Sequence, residues 1–230
     1  MNYKHIFIDL DRTLYNFDKS TKETFFELYT KYGMRHTGVK DFDEFLALYL
    51  KNNVELWEQY RQGKIKRKFL NVERFHVTLL HFGINDRAFA GRFASEYLHK
   101  APLNKALFPG AVEALDYLFK KYTLHIITNG FDDVQRIKME ANDLNKYFKT
   151  ITTSEEAGAK KPSEKIFWYA LEKANAKPNE SLMIGDDYDV DIAGAKKVNM
   201  DQMLFLDNNL VDGYECTFII QELKEIPTLL

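Results

Sequence analysis

Two carboxylates two residues apart stand in the stretch Asp9-Leu10-Asp11-Arg12-Thr13, directly after the β-forming run His5-Ile6-Phe7-Ile8. The two-residue period of an extended chain turns the side chains of Asp9 and Asp11 toward the same side if that geometry continues. Such a pair can divide a hard displacement at phosphorus into two easier ones. One carboxylate attacks, while the other protonates the leaving group and later activates water. A second acidic group lies far along the chain, in Gly185-Asp186-Asp187-Tyr188-Asp189-Val190-Asp191. If it converges on Asp9 and Asp11, mutual repulsion raises the carboxyl pKa values and disables a nucleophile unless a cation intervenes. Carboxylate oxygens completed by water and a substrate phosphate suit Mg²⁺, which is the expected cofactor. Asp186 and Asp191 are the stronger ligand candidates, because Asp189 and Asp187 also suit the positive end of a helix. A calcium loop beginning at Asp187 is excluded: Ile192 stands where the sharp turn needs Gly, and Val198 where the bidentate Glu belongs.

Phosphate recognition needs hydroxyl, amide and cationic donors beside these acids. Thr128-Asn129-Gly130, at the end of a second β-forming run, can donate through backbone and side chains together. Lys160-Lys161-Pro162 supplies a cation, with Pro162 suited to the first turn of the following helix.

The elements that must position these groups alternate. Strand-like runs occur at 5–9, 123–128, 149–153, 181–185 and 202–206. Helical spacing separates the later ones, as in Val112, Leu115, Leu118 and Phe119, or Ile166, Phe167, Ala170 and Leu171. This predicts an α/β fold, a parallel sheet with helices on both faces, whose ligands bind beyond the carboxyl ends of the strands. Residues 15–100 break the rhythm and read as an all-helical insertion after the first strand, with stripes at Phe25, Phe26 and Tyr29, at Phe42, Phe45 and Tyr49, and at Phe69, Val72 and Phe75. Spacings of three and four are what a helix needs to bury one face, so these rings are expected to pack rather than to bind. The division is thus 1–14 with 101–230 as the core and 15–100 as the insertion.

Composition narrows the classes. The chain has 230 residues, and 32 Lys and Arg against 34 Asp and Glu leave a formal charge of −2. That balance makes no case for a nucleic acid polymer as partner. Apolar residues at 45% and charged residues at 29% describe an ordinary globular chain. The single cysteine, Cys216, has no intrachain partner, and a reducing compartment fits it. Asp9 and Asp11 interrupt the first apolar stretch too early for a signal peptide, and no window approaches the run of about 18 apolar residues that spans a bilayer. A cytoplasmic protein without a membrane partner is expected.

Four motifs in this order, Asp9-x-Asp11-x-Thr13, Thr128-Asn129-Gly130, Lys161-Pro162 and Gly185-Asp186 with Asp191, resemble those of the haloacid-dehalogenase-like superfamily of phosphohydrolases. The flanks LFPGAVEALDYL and DIAGAKKVNM agree with it as well. The resemblance implies a Rossmann-like core, and it makes the helical insertion a mobile cap of the type that closes over small substrates. By it, Asp9 is the nucleophile that becomes an aspartyl phosphate, and Asp11 is the general acid/base. Thr128, Asn129 and Lys161 would bind the phosphoryl group. Asp9, the main-chain carbonyl of Asp11 and Asp186 would hold Mg²⁺, with Asp187 and Asp191 supporting the metal shell. Asp11 favours a phosphatase over the dehalogenases of the superfamily, because halide leaves without a proton. DLDRTLYNFD and LWEQYRQGKIKRKFLNVERF are similar to the branch of 5′-nucleotidases acting on pyrimidine and modified nucleoside monophosphates. The expected partner is therefore a small phosphorylated metabolite, a nucleoside monophosphate first and a sugar phosphate or phosphoglycolate second, on a monomer or homodimer. A silent phosphate-sensing scaffold would have lost the nucleophile, the acid or the lysine, and none is missing. Arg12 stands where many members carry a small residue and is expected to point away from the metal.

Overall fold

The computed structural model describes residues 2–207 and 213–230. The chain divides into two compact units, Met1–Phe17 with Lys105–Leu230, and Asp18–Asn104. The junctions follow local bonding. Tyr15, 1% exposed, belongs to the first unit through bridges to Asp11 and Leu107. Asn104 belongs to the second, where its side-chain amide donates to the hydroxyls of Ser20 and Thr24.

The first unit is built on a parallel sheet. In chain order its elements are β1 (His5–Ile8), the last residue of the first unit opening α1 (Phe17–Lys31), then, after the helical unit, α5 (Ala111–Lys121), β2 (Thr123–Thr128), α6 (Asp132–Ala141), β3 (Phe148–Thr153), α7 (Ser154–Ala157), α8 (Glu164–Ala174), β4 (Ser181–Gly185), α9 (Ala193–Lys197), β5 (Asp201–Phe205), β6 (Phe218–Ile220) and α10 (Ile226–Leu229). The strand order is β3-β2-β1-β4-β5-β6, every pair parallel. The chain therefore builds outward from β1 on one side, then returns to build outward on the other. The order reverses where β1 meets β4, the switch point at which sheets of this kind bind ligands.

Alternation along the strands supplies two cores. Ile6, Ile8, Leu124, Ile126, Leu182 and Ile184 turn to one face, where Leu115 and Leu118 of α5 cover them. Phe7, Ile127 and Met183 turn to the other, beneath Ile166, Phe167, Ala170 and Leu171 of α8. Each such side chain contributes about 1.5–3 kcal/mol by leaving water, which is what fixes the register. β6 has no counterpart among the runs that the sequence marks as strands. It is three residues long and pairs only through Met203–Phe205, too short for a period to register.

The helical unit contains the rest of α1, then α2 (Phe42–Arg61), α3 (Arg67–His81) and α4 (Arg87–Lys100). Asp41 and Asp86 cap α2 and α4, accepting from the N–H of Glu44 and Phe89. Its core is aromatic: Phe25, Phe45, Tyr49, Phe75, Phe93 and Tyr97 are buried together. The stripes sort as helical geometry demands. Phe25 and Tyr29 lie on one face and are buried, while Phe26, about 100° further round, is 58% exposed. Phe69 is exposed for the same reason, six residues before buried Phe75. Among the described residues, no helix is long and apolar enough to cross a membrane.

Candidate active site

Most of the expected site residues stand at or just beyond the carboxyl end of a strand. Asp9 follows β1, and its N–H donates to Ile184 O at 2.9 Å, which ties the end of β1 to β4. Thr128 ends β2, Asp186 follows β4, and Lys161 lies in the loop between α7 and α8. Lys161, 2% exposed, donates to Asp9 Oδ1 at 2.6 Å and to the carbonyl of Ile127 at 3.0 Å. It also pairs with Asp191 Oδ1 at 2.6 Å. One ammonium is thereby shared between two buried carboxylates and a backbone oxygen.

Oxygens of Asp9, Asp186 and Asp191 lie within 4.8 Å of one another. Asp186 accepts a hydrogen bond from Thr13 Oγ1 at 3.0 Å. Three acids gather around one buried lysine, and crowding bears on two of them. Burial, with Asp191 and Asp11 adding to it against Lys161, raises the Asp9 carboxyl to about 7. Burial, then Asp191 and Asp9, raise Asp186 well above the usual carboxylate range. Burial opposes the Lys161 ammonium, but Asp191 and Asp9 outweigh it and its pKa is raised. A divalent cation relieves this imbalance, and an all-oxygen donor set of carboxylates matches a hard ion.

Asp191, expected to support the metal shell, belongs to the carboxylate set with Asp9 and Asp186. Gly185 makes that possible, since a Cβ there would lie 2.4 Å from Asp191 Oδ2. Asp187 is placed differently from the expectation. Its Oδ1 accepts from the N–H groups of Asp189 and Val190, capping the wide turn Tyr188–Ile192, and its own N–H donates to Asp191 Oδ2 at 3.2 Å. Its side chain orders the loop, and Asp191 is what its backbone steadies.

The extended geometry that would turn Asp9 and Asp11 to one side does not continue through the pair. Strand geometry ends at Ile8, and Arg12 takes a left-handed φ of 64°. The Asp11 carboxylate meets α6 instead: Oδ2 accepts from Gln135 Nε2 at 2.9 Å, and Oδ1 accepts from Lys138 Nζ. The two acids thus occupy separate environments, which the two-residue period alone does not foretell. Arg12 places its guanidinium 5.0 Å from the centre of the Phe17 ring. It still bears on the site, because its charge acts to lower Asp186.

Thr128 Oγ1 accepts from Gly130 N–H at 3.1 Å and from Gln135 Nε2 at 2.8 Å, which directs its own O–H elsewhere as a donor. The Asn129 side chain, expected to meet phosphate, is committed to the backbone of Lys161: its amide donates to Lys161 O at 3.0 Å, and its oxygen accepts from Lys161 N–H at 2.8 Å. It braces one loop against the other. Pro162 lies before the first helical turn, not in it, because Ser163 caps α8. Gln135 and Lys138 carry no motif of their own. Their signal is a glutamine and a lysine three residues apart on a helix whose neighbour Met139 is buried, polar groups on an inward face.

The haloacid dehalogenase-like hydrolase family model matches residues 6–205. The chain is 32% identical to the pyrimidine 5′-nucleotidase YjjG of Escherichia coli (strain K12), over 84% of this chain and 82% of YjjG. It is 29% identical to the pyrimidine 5′-nucleotidase PynA of Streptococcus pneumoniae (strain ATCC BAA-255 / R6), over 91% of this chain and 86% of PynA. In fold it is similar to the crystal structure of the putative HAD-hydrolase YfnB from Bacillus subtilis bound to magnesium, with a TM-score of 0.89 and 23% identity, covering 100% of this chain and 99% of that one. The motifs, the sheet order and these likenesses agree: the chain belongs to the haloacid dehalogenase-like hydrolases.

Proposed function

We propose that this chain is a Mg²⁺-dependent phosphomonoester hydrolase working through an aspartyl phosphate, with nucleoside 5′-monophosphates, pyrimidine ones first, as substrates. The observation that carries the reading is that the two N-terminal acids have different partners: Asp9 accepts from Lys161 among the carboxylates, while Asp11 accepts from Gln135 and Lys138. In this reading Asp9 acts as the nucleophile and Asp11 as the proton carrier.

In this mechanism a carboxylate oxygen of Asp9 attacks phosphorus in line. The bond from phosphorus to the ester oxygen breaks, and Asp11 gives that oxygen its proton. Water then attacks the phosphorus of the aspartyl phosphate, Asp11 takes a proton from it, and inorganic phosphate leaves with Asp9 restored. Lys161, the Thr128 hydroxyl and the backbone N–H groups that follow it offset charge on the phosphoryl oxygens. Asp9, Asp186 and the main-chain carbonyl of Asp11 would hold Mg²⁺, with Asp191 beside them. Bound there, the ion would neutralise the acidic set and polarise the phosphoryl group.

The helical unit, in this reading a cap, is assigned the choice of leaving group. The two nucleotidase relatives support nucleotides over sugar phosphates. Dehalogenation is disfavoured by Asp11 and the two residues that hold it, since halide requires no acid. The test is phosphate release, as kcat/KM, from a panel of nucleoside 5′-monophosphates, sugar phosphates and phosphoglycolate, with Mg²⁺ and with EDTA. A preference of about tenfold or more for pyrimidine nucleotides, abolished by EDTA, is expected. No release from any of them would overturn the reading in favour of a phosphate-sensing scaffold.

A further inference from the structure

Resting on that reading of Asp11, we infer that Gln135 and Lys138 are positioning residues for leaving-group protonation, together fixing the carboxylate that delivers the proton. They stand three residues apart on α6 and therefore on one face of it. Each takes a different oxygen of Asp11: Gln135 Nε2 donates to Oδ2 at 2.9 Å, and Lys138 Nζ donates to Oδ1. A carboxylate gripped at both oxygens has neither a free rotamer nor a free ring of orientations about its last bond.

The grip is itself built in. Gln135 is fully buried, and its Nε2 also donates to Thr128 Oγ1 at 2.8 Å, so one amide aligns the proton carrier with a phosphate-binding hydroxyl. Gly130 leaves room for it, since a Cβ there would fall 2.3 Å from Gln135 Nε2. The glycine of the Thr128-Asn129-Gly130 motif thus has a reason in a residue five positions later. The Lys138 side chain is 7% exposed, with its ammonium 5.0 Å from the centre of the Tyr15 ring and 5.7 Å from that of Phe17. Both rings come from the segment just after Asp11, so the loop that carries the acid also houses the cation that aims it. A buried ammonium facing two ring faces and one carboxylate has a defined position rather than a mobile one.

General acid help matters most when the leaving oxygen is basic, whereas p-nitrophenolate departs with little help. The experiment compares kcat/KM on phenyl phosphate and p-nitrophenyl phosphate, which share a shape, for the wild type, Asp11→Asn, Lys138→Met and Gln135→Met, each checked for a cooperative melt. For both α6 variants, the loss on phenyl phosphate is expected to exceed the loss on p-nitrophenyl phosphate by about tenfold, in parallel with Asp11→Asn. If Lys138→Met does not fold, Gln135→Met carries the same comparison. Equal losses on both esters in the α6 variants, with the imbalance kept in Asp11→Asn, would overturn the inference alone. Equal losses in Asp11→Asn itself would overturn the proton-carrier role on which the inference rests.

Discussion

The carboxyl end of the sheet and the interior of the helical unit are both withdrawn from water, yet they treat charge in opposite ways. Asp9, Asp191 and Lys161 are buried together, with Asp186 beside them, and one buried cation is shared by two of the three acids. In the helical unit Arg74, 3% exposed, donates to Asn53 Oδ1 at 2.8 Å and lies within 6.0 Å of the ring centres of Tyr49, Phe75 and Tyr97. There a single charge is spread over an amide and three ring faces. At the sheet, like charges are pressed together and left for an ion and a phosphoryl group to balance. The first arrangement surrounds one buried charge with an amide and ring faces. The second costs stability and is tolerated where chemistry needs it.

That contrast can be broken at either end. The largest effect is expected from Asp9→Asn, which should lower kcat/KM by about 10⁴-fold or more. Its melting temperature should match or exceed that of the wild type, since one of three crowded acids is neutralised while Lys161 keeps Asp191. A clear fall in melting temperature would mean that the cluster stabilises the fold, against the comparison drawn here. Phe25→Ala should do the reverse: about 3–5 kcal/mol lost in urea unfolding, because Phe25 packs edge-on against Phe93 and Tyr97 at 5.4 and 5.3 Å. Asp186→Asn should raise the Mg²⁺ concentration for half-maximal activity about 10–100-fold, read from an ion titration of phosphate release. An unchanged titration would remove Asp186 from the ion's surroundings.

A smaller effect concerns a third way of burying a titratable group. His125, in the middle of β2, stacks on Phe7 at 4.7 Å and shares hydrogens with Thr150 Oγ1 at 2.8 Å and with His5 at 3.1 Å. Desolvation first, then His5 and Lys149, lower its pKa to about 3. The unfolded chain therefore binds a proton that the folded chain refuses. The stability this contributes is complete above the ordinary histidine value and is lost as pH falls below it, by about 2 kcal/mol at pH 5. Urea midpoints between pH 7 and pH 5 measure the slope, and His125→Gln should flatten it.

The sheet was legible because alternation is a local property: Ile6, Phe7 and Ile8 declare two buried faces in three residues. The helical unit was legible for the same reason at a period near four, although Phe26, expected to pack with Phe25 and Tyr29, lies outside. The strand ends were legible where they coincide with motifs, as at Asp9, Thr128 and Asp186. What escaped was set by tertiary contact. Nothing near Asp11 in sequence says that its carboxylate turns to α6, because the turn depends on the left-handed Arg12 and on partners more than a hundred residues away. Nothing in the Thr128-Asn129-Gly130 tripeptide says that the Asn129 side-chain amide pairs with the backbone of Lys161. Asp187 and Asp191 have the same composition and neighbourhood in sequence, and only the turn at Tyr188–Ile192 makes one a cap and the other a member of the acidic cluster.

The comparison of the two buried regions depends finally on what the crowded acids are for. The most direct test is acid quenching during turnover of a good phosphate ester with Mg²⁺, followed by peptide mass mapping. One phosphoryl group is predicted on the peptide carrying Asp9, formed and discharged within a single turnover and absent from Asp9→Asn. Phosphate released in that turnover with no phosphoryl group ever on the protein, or with it on another residue, would contradict the account.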